Sequence, residues 1–133
     1  MSLELKFHHT AIVVKDMELS RSHYGQLFGD RNLSQVFNVT SQGVLVSFVQ
    51  IGDNCFIELV QPSSDDSPIN RLLLKHVSYY HMAFVVDHFD DTVKRMEQLN
   101  YKMLTPFHSE AFANKRCIFC YSPDAHLLEL IEA

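Results

Sequence analysis

The chain has 133 residues, the length of one domain, and a chain of that size hides roughly two-thirds of its unfolded surface on folding. Hydrophobic residues make up 47% and charged residues 20%, which excludes a disordered chain, and four glycines and four prolines exclude collagen-like and linker-like compositions. A net charge of −5 counts against nucleic acid as a partner, and no apolar run approaches the roughly 18 residues that cross a bilayer, so no membrane partner is expected.

The segment Met1-Ser2-Leu3-Glu4-Leu5-Lys6 has no basic stretch followed by an apolar one, so no signal peptide is expected. Residues 8–14 are β-branched and apolar and predict a buried strand. Over 17–28, Met17, Ser20, Tyr24, Leu27 and Phe28 fall near helical spacing, with Gly29 as the stop. Residues 33–39, 43–51 and 55–61 predict three strands, the last two parted by a Gly52-Asp53-Asn54 turn. Ser67 before Pro68 predicts a capped linker helix over about 67–76. Residues 80–86 predict a strand. A helix over 90–99 follows, its start favoured by Asp90 and Asp91. Strands are predicted at 101–105, 115–121 and 126–132, with Ser122-Pro123-Asp124 as a turn.

The series is a duplication. His9-Thr10-Ala11-Ile12-Val13-Val14 recurs as His81-Met82-Ala83-Phe84-Val85-Val86, and Leu27 falls opposite Leu99. Phe56-Ile57-Glu58-Leu59-Val60 recurs as Leu127-Leu128-Glu129-Leu130-Ile131. Each half spells β-α-β-β-β, opening on a histidine and closing on a strand with one central glutamate. The expected class is α+β, one domain over 1–133, with module one about 7–62 and module two about 79–132.

Alternation along a strand puts His9 with Ala11 and Val13, and His81 with Ala83 and Val85. The larger apolar sets, Ile12 and Val14, and Met82, Phe84 and Val86, form the floor for the helices, so both histidines should face away from them. His8 should point opposite to His9. Singly, a histidine or glutamate on a strand is ordinary. Two of each at duplicated positions point to one shared cation, because a glutamate centred in an apolar strand is costly to bury ionised without a partner. His9, Glu58, His81 and Glu129 offer a mixed nitrogen and oxygen set suited to one divalent ion: Zn, Ni, Co, Mn or Mg.

Other motifs carry less. Cys117 and Cys120 have zinc-type spacing but no second pair, and on a strand they point to opposite faces. Three cysteines make no disulfide framework and suit a reducing cytoplasm. Asp65-Asp66 reads as a solvated loop, and Phe107 and Phe112 flank a polar loop and are candidates to line a cleft. There is no Gly-rich phosphate loop and no G-x-S-x-G elbow.

The motifs His8-His9-Thr10-Ala11-Ile12-Val13-Val14, Glu58-Leu59-Val60-Gln61-Pro62 with Asp66-Ser67-Pro68-Ile69, Tyr80-His81-Met82-Ala83, and Leu128-Glu129-Leu130-Ile131 resemble the vicinal oxygen chelate superfamily. The resemblance runs from about residue 7 to 132. It implies a curved, partly closed sheet that cups a divalent metal held by His9, Glu58, His81 and Glu129. The acidic residue at Glu58 resembles glyoxalase I and methylmalonyl-CoA epimerase, and the Glu58 and Asp66 motifs with Ser41-Gln42-Gly43-Val44 look most like the epimerase. One departure is Ser41, where epimerase relatives carry a glutamate. The implied activity is metal-assisted proton transfer α to a carbonyl, with Glu129 and Glu58 as candidate bases. The implied substrate is a small molecule such as an acyl-CoA thioester, and the implied assembly is a homodimer. The alternatives are a glyoxalase I-type lactoylglutathione lyase and a non-catalytic binding or resistance protein.

Overall fold

The computed structural model describes residues 3–133; Met1 and Ser2, where the segment examined for a leader begins, lie outside the described residues. The first half comprises β1 (Lys6–Val13), α1 (Met17–Phe28), β2 (Phe37–Val39), β3 (Val44–Gly52) and β4 (Cys55–Pro62). A short helix α2 (Asn70–Leu74) leads to the second half: β5 (Tyr79–Val86), α3 (Phe89–Gln98), β6 (Lys102–Met103), β7 (Phe107–Ser109), β8 (Lys115–Tyr121) and β9 (Leu127–Glu132).

The nine strands among the described residues form one mixed sheet in the order β2-β3-β4-β1-β5-β9-β8-β6, with β7 also on β8. Within each half the opening strand lies parallel to the closing one, β1 on β4 and β5 on β9. The halves meet at the centre, where β1 and β5 run antiparallel within the one chain. The sheet curls until its ends touch: Glu110, just after β7, accepts hydrogen bonds from the Thr40 N–H at 3.3 Å and hydroxyl at 3.1 Å, just after β2. This is the expected α+β architecture of two βαβββ modules forming a curved, partly closed sheet.

The alternation of β1 and β5 explains the layers. On the outer face Ile12 and Val14 pack with Met17 and Tyr24 of α1, while Phe84 and Val86 pack with Phe89 and Met96 of α3. On the inner face Ala11, Val13, Val46, Phe48 and Val60 form a second cluster, against which Ile69, Leu72 and Leu73 around α2 pack. Leu59 and Leu130 are fully buried, and each such side chain contributes about 1.5–3 kcal/mol. Cys117 joins Ala83 and Ile131 while Cys120 joins the α3 layer, so the two thiols lie on opposite faces.

Four expectations need correction. The linker helix is five residues, not ten; it begins after Ile69, and the Ser67 hydroxyl is buried without a hydrogen bond instead of capping it. The strand expected at 101–105 is two residues long, and its course resumes as an unforeseen strand, β7, both pieces pairing with β8. The strand expected at 33–39 is likewise broken, with a lone bridge at Leu33 before β2. Finally, His8 does not point away from His9. The β1–β5 register shifts between Phe7 and His9, and a bulge turns the intervening residue. The His8 ring stacks on Phe56 and meets the edges of Phe48 and Phe112, on the same side as His9.

Candidate metal centre

The four central strands β4, β1, β5 and β9 each deliver one polar side chain to the inside of the curl. His9, Glu58, His81 and Glu129 are 0%, 5%, 2% and 4% exposed. The register explains the meeting: Glu58 lies opposite Ala11 on β4, and His81 lies opposite Ala11 on β5. Ala11 and Ala83 leave room where a larger residue would fill the space.

One donor atom from each residue lies within 4.8 Å of all the others. His9 Nε2 is 3.3 Å from Glu58 Oε1 and 3.4 Å from Glu129 Oε1; His81 Nε2 is 3.6 Å and 3.2 Å from the same atoms. The two Nε2 atoms are 3.2 Å apart. A tetrahedral set at about 2.1 Å from an ion has donors about 3.4 Å apart, so the spacing fits. The hydrogen bonding fits too. Glu129 Oε1 has no directed hydrogen bond although two imidazoles flank it, and two Nε2 atoms face each other across the same point. A single cation would satisfy all of them, and a charge of two would match two carboxylates.

The electrostatics show what stands in without an ion. Burial alone would lower the His9 pKa, but Glu58 and Glu129 raise it to about 9. Burial alone would raise that of Glu129, but His81 and His9 pull it down to about 2. The carboxylates therefore draw protons onto the cluster. His8 behaves oppositely: burial, and then the neighbouring His9, lower it to about 4.

The walls are apolar. Val39, Val44, Val46, Val60, Phe107, Phe112 and Phe119 surround the cluster, with Gln42 and Tyr80 as polar additions. Phe107 and Phe112 thus line the cup, as their flanking of a polar loop suggested. Burial, followed by the nearby carboxylates, pushes the Tyr80 hydroxyl above the usual tyrosine range, so it stays a donor. The free space inside is about 20 Å³, enough for a water or an ion. Larger cavities lie elsewhere, one of about 700 Å³ beside α2, but they hold no such cluster. Ser41 is exposed and borders a depression with Ser64, Asp66 and Ser67 outside the cup; its neighbour Gln42 is the one that reaches inside. From the sequence, His8 is set aside as facing away from His9, and Gln42 and Tyr80 are given no place in the cup. The signal for the first and last was present, since His8 and Tyr80 occupy the same place before each histidine.

The chain has known counterparts. Residues 8–121 match the family described as the glyoxalase/bleomycin resistance protein/dioxygenase superfamily. The chain belongs to that superfamily. Among superfamily relatives, the mitochondrial methylmalonyl-CoA epimerase of Dictyostelium discoideum is 30% identical over 131 residues, covering 96% of this chain and 78% of its own length. The mitochondrial methylmalonyl-CoA epimerase of Mus musculus is also 30% identical, covering 96% and 73%. The crystal structure of methylmalonyl-CoA epimerase from Mycobacterium tuberculosis superposes with a TM-score of 0.86 at 20% identity, over 99% of this chain and 91% of that one. At that identity the superposition speaks for the superfamily fold. No helix among the described residues is long and apolar enough to cross a membrane.

Proposed function

We propose that this chain is a divalent-metal-dependent epimerase that moves a proton α to the carbonyl of an acyl-CoA thioester of the methylmalonyl type. The observation that supports it most is the buried cluster of His9, Glu58, His81 and Glu129 at the bottom of an apolar cup. Alignment with epimerases over nearly the whole chain points the same way.

In this reading the four side chains hold the ion. Such an ion, when bound, withdraws charge from two adjacent substrate oxygens and makes the α-hydrogen acidic. Glu129 and Glu58 come from opposite modules and flank the space between. One would take the α-proton, and the other, carrying a proton, would deliver it to the opposite face and so invert the centre. Phe107, Phe112 and Phe119 keep water from the exposed carbanion face and lower the local dielectric, which strengthens every charge interaction in the cup.

The test is hydrogen exchange in D₂O with methylmalonyl-CoA on protein of known metal content. Exchange should require metal. Glu129→Gln should retain metal and lose about 10²–10⁴-fold in rate, the usual contribution of a general base. His9→Ala should lose the metal itself. Ser41, outside the cup where epimerase relatives carry a glutamate, favours a second reading, glyoxalase-type isomerisation of a hemithioacetal. Turnover of that substrate without thioester exchange would select it. A homodimer accompanies the resemblance, and Leu27 and Leu74, 73% and 81% exposed, are apolar side chains open to such a contact. Sedimentation of only monomer at micromolar concentration would remove the dimer.

A further inference from the structure

We propose that His8 is a positioning residue that locks His9 in the tautomer able to offer Nε2 to a divalent cation. The proposal rests on the reading of the four-residue cluster as a cation site.

His8 Nδ1 lies 2.8 Å from His9 Nδ1. Two imidazole nitrogens at that distance share one proton, and which ring carries it decides what His9 can do. If His9 donates through Nδ1, its Nε2 bears a lone pair aimed at Glu58, His81 and Glu129. If His8 donates, neutral His9 carries its proton on Nε2 instead. That proton would then point into the centre of the cluster and bar a cation. Ligating histidines commonly donate their other N–H to a fixed acceptor, and here the acceptor is the preceding side chain.

The His8 ring is held for this task. It stacks on Phe56 at 4.8 Å and 25°, and the rings of Phe48 and Phe112 meet it nearly edge-on at 5.9 and 5.5 Å. It stands there only because of the bulge in β1. The second half supplies a comparison inside the same molecule. The β1–β5 register shifts again around Tyr80, the residue before His81, yet His81 Nδ1 is buried with no hydrogen-bond partner. The duplicated site thus has one anchored imidazole and one unanchored.

His8→Phe preserves the ring stack and removes the acceptor. His8→Asn loses the ring but keeps an oxygen near the Nδ1 position. Co²⁺ affinity, measured by chelator competition with the visible spectrum as readout, should fall about 10–100-fold in His8→Phe and recover largely in His8→Asn. In the Zn²⁺-loaded wild type, ¹⁵N-labelled histidine spectra should show a His9 Nδ1 proton that exchanges with water more slowly than that of His81. Equal Co²⁺ affinity of wild type and His8→Phe would overturn the role of His8 and leave the metal reading intact. A His9 proton exchanging as fast as that of His81 would also overturn it, and this measurement needs no variant to fold. Failure of the wild type to bind Co²⁺ or Zn²⁺ would overturn the metal reading and this proposal with it.

Discussion

His9 and Glu129 make opposite demands on pH. Glu129 is held at about 2 against an ordinary 4.5, so its contribution to stability is fully present above about pH 4.5 and is lost as pH falls through 2. His9 is raised from 6.5 to about 9, so its contribution is present below about pH 6.5 and is lost as pH rises through 9. His8, lowered from 6.5 to about 4, adds a further loss as pH falls below about 6.5, so chelator-treated protein should melt highest near pH 6.5, with each flank costing on the order of a few kcal/mol. On the cation reading, a bound ion would take the place of the His9 proton. Melting curves with saturating Zn²⁺ should then lose the alkaline decline, and an unchanged alkaline flank would contradict the cation reading. At this scale the facing of His9, Glu58, His81 and Glu129 was legible, because period-two alternation and the duplication both constrain it. The facing of His8 was not. A bulge is set by the partner strand, and nothing in Phe7-His8-His9 announces it.

The helices and strands divide along similar lines. α1 falls at 17–28 as its spacing predicts, between an N-cap and a glycine stop: Asp16 accepts a hydrogen bond from the Leu19 N–H, and Gly29 takes φ +92°. Asp16→Ala should cost about 1 kcal/mol, read as a lower denaturant midpoint with an unchanged slope. The inner and outer sheet strands were legible wherever they are long and apolar. The edge strands were not, since β2, β6 and β7 are two or three residues each and owe their pairing to β3 and β8. The linker helix was overread from Ser67-Pro68. Here packing decides: Ile69 is buried against the inner cluster and fixes where the short turn of helix begins.

The strand order governs how the whole molecule comes to exist. β3–β4 and β8–β9 are hairpins that can close early, and each carries one of the two glutamates. β1 and β5, which carry the histidines, have no partner nearby in sequence; they pair with β4, with β9 and with each other across long stretches of chain. Contacts of that kind form late. No local segment holds more than one of the four side chains, so a partly folded chain has nowhere to keep an ion. Metal uptake should therefore act as a clock for refolding. After dilution from denaturant into buffer with Co²⁺, the visible absorption should appear in the slowest phase, behind the backbone signal from the hairpins and helices. Colour that rises with the early signal would mean that the halves join before their hairpins are complete.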